Sequence, residues 1–327
     1  MPNLLYPMDL TKWRAKGFMI LSAACWGGST VMSKAALEYI PPLHLLIIQL
    51  AASITLLWMT TLIVNQRLFL NWAAIKYSLT GFLEPGLAYI FGMLGLVLTT
   101  ATKASLLGTT EPIIVVIISW LFLREKITRS LLYSAGLAFT GVILIIGLDA
   151  EIINYNNSAL VGDILIFIGT FCAALYVIFS HRIVGNFSPV TLAAVQQTAG
   201  FILVTFVWYT GILGDEVLDF SSLDLGIWFL AIFSGIVQYA LAFWFYLIAL
   251  KTITVSSAAL FLNLIPVFGV GAAYLFLNEK LTILQWLGAI IVLIAVANIS
   301  MIQRQREVQV NTPDSFETEM EEKPPTV

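Results

Sequence analysis

The chain has 327 residues, of which 59% are hydrophobic and only 11% are charged, and its mean hydropathy is +0.93. This composition excludes a soluble globular domain, which needs more polar residues to cover its surface. The net charge of −3 gives no sign of a nucleic-acid partner, so the expected surroundings are a lipid bilayer.

Apolar runs of about 20 residues, the length that crosses the hydrocarbon core, recur along the chain and predict an all-α integral membrane protein. The run that begins at Gly17 has no convincing cleavage site, so we expect it to remain as an anchor. From 303 to 327 the chain is polar and acidic, which predicts a disordered cytoplasmic tail. Ten transmembrane helices are predicted, at 17–36, 42–64, 73–97, 100–122, 129–148, 160–181, 189–212, 224–249, 253–277 and 283–302.

The distribution of basic residues orients these helices. With segment 1–16 placed in the cytoplasm, thirteen of the sixteen lysines and arginines lie on the inner side. Only Lys34, Lys103 and Lys280 lie outside. The positive-inside rule therefore predicts a multi-pass protein of the cell membrane, inner or plasma, with both termini cytoplasmic and 149–159 as an extracytoplasmic linker.

Two segments of the chain repeat one another. Glu-Pro at 111–112 precedes Leu-Arg-Glu-Lys-Ile-Thr at 123–128, and Ile-Pro at 265–266 precedes Leu-Asn-Glu-Lys-Leu-Thr at 277–282. One offset of 154 residues aligns the two segments without a gap. Such internal similarity indicates a duplicated unit.

Earlier in the chain, an offset of 148 residues pairs Gln49 with Gln197. The sequence thus predicts two copies of a five-helix repeat, over 17–148 and 160–302. Because five is an odd number, the copies face opposite ways across the membrane around a central cavity. Inverted repeats of this kind are typical of carriers that work by alternating access, with the substrate bound near the midplane.

The order of these motifs resembles that of the EamA-type drug/metabolite transporters. Ala-Cys-Trp-Gly-Gly-Ser at 24–29 and the two proline-containing segments carry the resemblance, which extends over about 17–302. It implies a secondary carrier that exports amino acids, related metabolites or drugs from a central cavity. The chain departs from the pattern at Gln49, about where many relatives carry an arginine, so a substrate carboxylate held there is not implied.

Two glutamates are placed near the middle of predicted helices, Glu84 and Glu111. An ionised carboxylate there costs ~2.5–3.5 kcal/mol on insertion scales, which makes a functional role worth considering. Glu84 pairs with Gln238 under the offset of 154, and we expect these two to bind substrate, with Glu111 in proton coupling or gating. The alternative is structural: protonated glutamates that bond to a neighbouring helix, or to backbone groups freed by the prolines that follow them.

Further candidates come from polar and aromatic residues in the predicted spans, and their alternatives are helix packing and interfacial anchoring. The additional expected substrate-binding residues are Gln49, Gln197, Trp26, Tyr89, Trp244 and Asn263. The expected gating residues are Lys103, Lys34 and Arg182. The expected hinges are Pro112 and Pro266, since proline interrupts helical hydrogen bonding.

A carrier is therefore the leading hypothesis, and a passive channel or a flippase for lipid-linked substrates is the alternative. Only two histidines are present, His44 and His181, on opposite predicted sides, so no metal centre or catalytic triad is expected. Since no nucleotide-binding motif occurs either, we expect neither an enzyme nor a cofactor. The expected partners are a small solute and protons, for a monomer or a homodimer.

Overall fold

The computed structural model describes residues 10–64, 76–98, 107–108, 110–124, 128–146, 157–212, 223–276 and 282–310. Throughout these ranges the regular structure is helical, and the described residues contain no strand. The predicted all-α class is therefore confirmed for the described part of the chain.

The helices are labelled in chain order. They are α1 (Leu10–Ala36), α2 (Pro42–Val64), α3 (82–98), α4 (Glu111–Leu123), α5 (Arg129–Ile146), α6 (Asn157–Val184), α7 (Pro189–Tyr209), α8 (Leu225–Leu250), α9 (255–276) and α10 (Ile283–Val310). Helix α10 continues eight residues beyond the predicted span end at 302, into the segment expected to be a disordered tail.

Side-chain caps explain where several helices begin. Ser188 accepts a hydrogen bond from the Thr191 N–H ahead of α7, and Asp224 accepts one from the Ile227 N–H ahead of α8. Thr282 accepts a hydrogen bond from the Gln285 N–H at 3.3 Å, ahead of α10. Each cap satisfies a backbone donor that the first helical turn leaves unpaired.

Helices α2, α7, α8 and the Leu160–Val184 part of α6 are long and apolar enough to cross a membrane. The described parts of α4, α5, α9 and α10 contribute shorter apolar helices. Length and composition thus indicate a multi-pass membrane protein.

Four helices depart from regular α geometry. Helices α3 and α8 contain π-helical segments at Phe82–Leu87 and Ile236–Leu241, and α4 ends in one at Ser119–Leu123. Helix α9 is tightened at its middle, where the Ile265 N–H donates to the Leu262 carbonyl at 2.9 Å. Such interruptions leave backbone groups free for other partners and often occur at functional sites.

The core forms where the helices cross. Its largest fully buried side chains are Tyr176, Tyr239, Tyr246, Phe243 and Phe261, from α6, α8 and α9. The principal packed pairs are α5 on α10, α3 on α6, α1 on α8, α1 on α9, α4 on α6, α2 on α7, α3 on α7, α2 on α8 and α4 on α9.

Two glycines permit close helix crossings. Gly235 of α8 lies against the backbone of Gln49 in α2, where an added Cβ would come 2.6 Å from the Gln49 carbonyl oxygen. Gly81, just ahead of α3, lies against the backbone of Gln196 in α7 in the same way. Small residues let helix backbones approach closely enough for dispersion and polar contacts.

We predict that Gly235→Ala lowers the free energy of unfolding by about 1–3 kcal/mol, because the new methyl group displaces the α2 backbone. The matched control is Gly92→Ala in α3, where an added Cβ meets nothing within 4 Å and alanine improves helix propensity. Thermal unfolding in detergent measures both variants. Equal melting temperatures for the two would contradict the close crossing.

Candidate functional site

Helices α3 and α4 bring the two candidate carboxylates together. Glu84 lies in the π-helical segment of α3, where its backbone adopts an extended conformation with φ −147° and ψ 127°. Glu111 is the first residue of α4, so the positive end of that helix is available to its carboxylate. Both side chains are half-buried, and their charges interact with each other.

Tyrosines from three helices surround the carboxylates. Tyr89 of α3 and Tyr176 of α6 interact electrostatically with Glu84. Tyr246 of α8 interacts with both glutamates. Glu84 is thus partly accessible although side chains from several helices face it.

Trp26 of α1 lies beside these tyrosines and forms an aromatic wall with them. Its ring packs edge-on against Phe243 and Tyr246, at centroid distances of 5.1 Å and 5.6 Å. Tyr89 lies close to Trp26 and also packs on Tyr239 at 5.2 Å. The predicted residues Trp26, Tyr89, Glu84 and Glu111 are therefore neighbours in the structure.

Gln238 belongs to a hydrogen-bonded cluster of four side chains, which we call the Gln49 cluster (Ser33, Gln49, Ser234 and Gln238). The Ser33 hydroxyl donates to Gln238 Oε1 at 2.8 Å. Gln49 Nε2 donates to Ser33 Oγ at 2.9 Å and to Ser234 Oγ at 2.8 Å. Gln238 also interacts with Tyr89, so this cluster connects to the carboxylate site.

A second cluster, which we call the Gln196 cluster, has the same form (Thr80, Tyr176, Ser180 and Gln196). Gln196 Nε2 donates to Thr80 Oγ1 at 2.7 Å and to Ser180 Oγ at 3.0 Å. The Tyr176 hydroxyl donates to Gln196 Oε1 at 3.1 Å. Sequence reasoning missed Gln196, because the offset of 148 pairs Gln49 with the adjacent Gln197, a residue of the same type.

Gln197 is fully buried, and its hydrogen bonds go to partners other than the carboxylates. Its Oε1 accepts from the Ser53 hydroxyl at 2.8 Å, and its Nε2 donates to the Tyr239 carbonyl at 2.9 Å. The packing relates Gln49 to Gln196 rather than to Gln197, since these two glutamines lie against Gly235 and Gly81. The offset of 148 is thus one residue too long in this part of the fold.

Three of the remaining candidates lie on α8 and α9. Trp244 is half-buried and stacks on Phe245 at 6.2 Å. Asn263 is buried and donates to the Leu260 carbonyl at 3.0 Å, so its amide supports the tightened turn of α9. Pro266 lies in the first turn of the helical run Leu264–Phe276, as Pro112 lies in the first turn of α4.

The expected gating residues are only partly visible. Arg182 is exposed at the end of α6, and its Nη2 donates to the Phe122 carbonyl of α4 at 2.8 Å. Lys103 lies outside the described residues, as does the side chain of Lys34. Beside the Arg182 contact, the hydroxyls of Ser119 and Ser256 bond at 2.8 Å and join α4 to α9.

Two buried donors near the carboxylates have no hydrogen-bond partner among the described residues: Trp26 Nε1 and the Tyr246 hydroxyl. Tyr89 approaches Trp26 without satisfying its indole N–H. Unpaired buried donors are rare because each costs about 1–3 kcal/mol. They are therefore available to a ligand.

The chemistry of the site follows from these groups. Its carboxylates can bind a cation or exchange a proton, its rings can contact an apolar body, and its free donors can bind an oxygen. Within the described ranges, no group of three or more His, Cys, Asp or Glu side chains could hold a metal ion.

Comparison with known proteins gives a consistent result. The profile of the EamA-like transporter family matches residues 14–147 and 160–301. An uncharacterized transporter of Archaeoglobus fulgidus is 29% identical over 284 residues, which cover 85% of this chain and 95% of that protein. The uncharacterized transporter YvbV of Bacillus subtilis is 24% identical over 306 residues, 92% of this chain and 95% of its own.

A solved crystal structure also has this fold. It is 15% identical in sequence, with a TM-score of 0.76, and the match covers 90% of this chain and 98% of the other. At that identity the likeness concerns the fold alone.

We predict that Gln49→Leu destabilises the protein by about 1–3 kcal/mol, because both donors of a buried amide are lost from the α1–α2–α8 junction. Thr55→Val on α2 is the control, since the Thr55 hydroxyl is exposed and bonds only within its own helix. Melting temperatures in detergent compare the two. Equal stability would show that the Gln49 cluster does not hold the helices together.

Proposed function

Because this chain belongs to the EamA-like transporter family, we propose that it is a secondary carrier that exports small metabolites by alternating access. It consists of ten transmembrane helices in two inverted five-helix repeats, with both termini in the cytoplasm of a cell whose inner or plasma membrane it spans. Amino acids or related amphipathic solutes are its substrates. Exchange with protons drives the cycle.

The pattern of helix packing supports the two repeats. Under the two-fold relation, each helix of α1–α5 corresponds to the helix five places later in α6–α10. The packed pair α3–α6 then corresponds to the pair α8–α1, and the pair α4–α6 corresponds to α9–α1. The same relation turns α3 on α7 into α8 on α2, and it leaves α2 on α7, α4 on α9 and α5 on α10 unchanged. Every one of these pairs is packed, as an internal two-fold relation requires.

Matching irregularities support the same relation. The π-helical segments Phe82–Leu87 and Ile236–Leu241 are 154 residues apart, as are Gly81 and Gly235. Helices α3 and α8 therefore contain the same irregularity at equivalent positions. The candidates Glu84 and Gln238 lie inside these two segments, 154 residues apart.

The observation that carries the proposal is the position of Glu84 and Glu111. They are two half-buried carboxylates whose charges interact, enclosed by side chains of α1, α6 and α8 within an apolar bundle. Carboxylates inside a membrane are costly and mark substrate or proton pathways. Glu84 and Gln238 bind the solute, and Glu111 carries the proton.

The irregular helices supply the movement. Pro112 and Pro266, which are 154 residues apart, stand in the first turns of helical runs in α4 and α9. Pivoting there opens one side of the site while the other side closes. The Ser119–Ser256 hydrogen bond joins α4 to α9 at one such closure.

We predict that Glu84→Gln lowers counterflow in proteoliposomes about tenfold, equivalent to about 1.4 kcal/mol of lost binding. The solute is chosen by comparing extracellular metabolites of overproducing and null cells. Glu111→Gln flattens the pH dependence of transport, because its amide cannot release a proton. Glu38→Gln, an exposed residue beyond α1, is the control and leaves both properties unchanged.

Flux that does not saturate and shows no counterflow would indicate a channel instead of a carrier. If transport and its pH dependence survive in both Glu84→Gln and Glu111→Gln, the proposed roles of these residues are wrong.

A further inference from the structure

The two carboxylates have no positively charged partner among the described residues. Glu84 and Glu111 interact with each other, and no described Lys, Arg or His forms an ion pair with either of them. The described titratable side chains near them are tyrosines and Cys172, none of which can carry a positive charge. In a medium of low dielectric, adjacent carboxylates favour a partner that brings a positive charge.

The aromatic wall can accept such a partner. Trp26 packs edge-on against both Phe243 and Tyr246 next to the carboxylates. Ring faces attract ammonium groups, and ring edges contact apolar bodies. The site therefore suits a solute that combines a cationic head with an apolar body.

The two unpaired donors indicate that the ligand also carries an oxygen acceptor. Tyr246 is only 1% exposed, its hydroxyl has no partner, and it interacts with both Glu111 and Glu84. Trp26 Nε1 is unpaired on the neighbouring helix. A ligand oxygen that accepts from these two donors would remove two unpaired groups at once. Both donors are neutral, so nothing described here compensates a ligand carboxylate.

We propose that the site selects organic monocations: primary amines with an apolar body and an uncharged oxygen acceptor, in preference to zwitterionic amino acids. The ammonium group lies between Glu84 and Glu111, and the oxygen accepts from Trp26 Nε1 and the Tyr246 hydroxyl. A zwitterion is disfavoured because it adds an anion beside two carboxylates. This substrate class rests on the proposed function and narrows it.

Binding to the purified full-length chain in detergent tests the selection without requiring transport. The probes are phenylalaninamide, which is a monocation, phenylalanine, which is a zwitterion, and N-acetylphenylalaninamide, which is neutral. We expect phenylalaninamide to bind at least about tenfold more tightly than either of the others, as measured by calorimetry. In Glu84→Gln or Glu111→Gln the preference over the neutral probe falls to near unity, whereas Glu38→Gln retains it.

A second comparison tests the oxygen contact. Phenethylamine has the same ring and ammonium group as phenylalaninamide but lacks the carbonyl oxygen. Trp26→Phe and Tyr246→Phe should reduce the affinity for phenylalaninamide to that for phenethylamine and leave the latter unchanged. These variants keep an aromatic ring, and size-exclusion profiles show whether they remain folded.

Equal or tighter binding of phenylalanine would overturn the proposal, as would a preference that survives in both glutamine variants. Failure of phenylalaninamide to bind at millimolar concentration would also overturn it. Transport separates this inference from the proposed function. Counterflow of phenylalanine but not of the amide refutes the substrate class alone, whereas selective binding without any flux refutes the carrier.

Discussion

The hydrocarbon core offers no hydrogen-bond partner to a polar side chain, and this constraint governs where the polar residues of this chain lie. Gln49 and Gln196 direct their amides into serine and threonine hydroxyls of neighbouring helices. Gln197 bonds both to Ser53 and to a backbone carbonyl. These hydrogen bonds hold α2 and α7 against their neighbours.

The groups left over define the site. Glu84 and Glu111 have no described cationic partner, and Trp26 Nε1 and the Tyr246 hydroxyl have no described acceptor. They occur together, and Glu84 and Tyr246 belong to helices that contain π-helical segments. Unpaired groups in an otherwise satisfied bundle are costly, and a solute that pairs them recovers that cost. The same few atoms then determine both affinity and selectivity for the solute. Through Gln238, the Gln49 cluster connects this site to α1 and α2.

Much of this arrangement could be predicted from the sequence, because lipid imposes long apolar runs and turns charges inward. The helical class followed from hydropathy, and the choice of Glu84 and Glu111 as candidates followed from their positions inside apolar runs. The choice between Gln196 and Gln197 could not be predicted, since a shift of one residue turns a helical side chain by about 100°. The unpaired donors could not be predicted either, because the sequence does not show which neighbours surround a donor in the fold.

The proposed function depends most on opposite orientation of the two halves, which would place Glu84 and Gln238 at equivalent points of one site. Single cysteines at Arg129→Cys and Ile283→Cys, equivalent positions at the exposed starts of α5 and α10, test it in a chain whose Cys25 and Cys172 are replaced by alanine. A membrane-impermeant maleimide should label the first only from the cytoplasmic side and the second only from the outside. Labelling of both from one side would contradict the inverted arrangement.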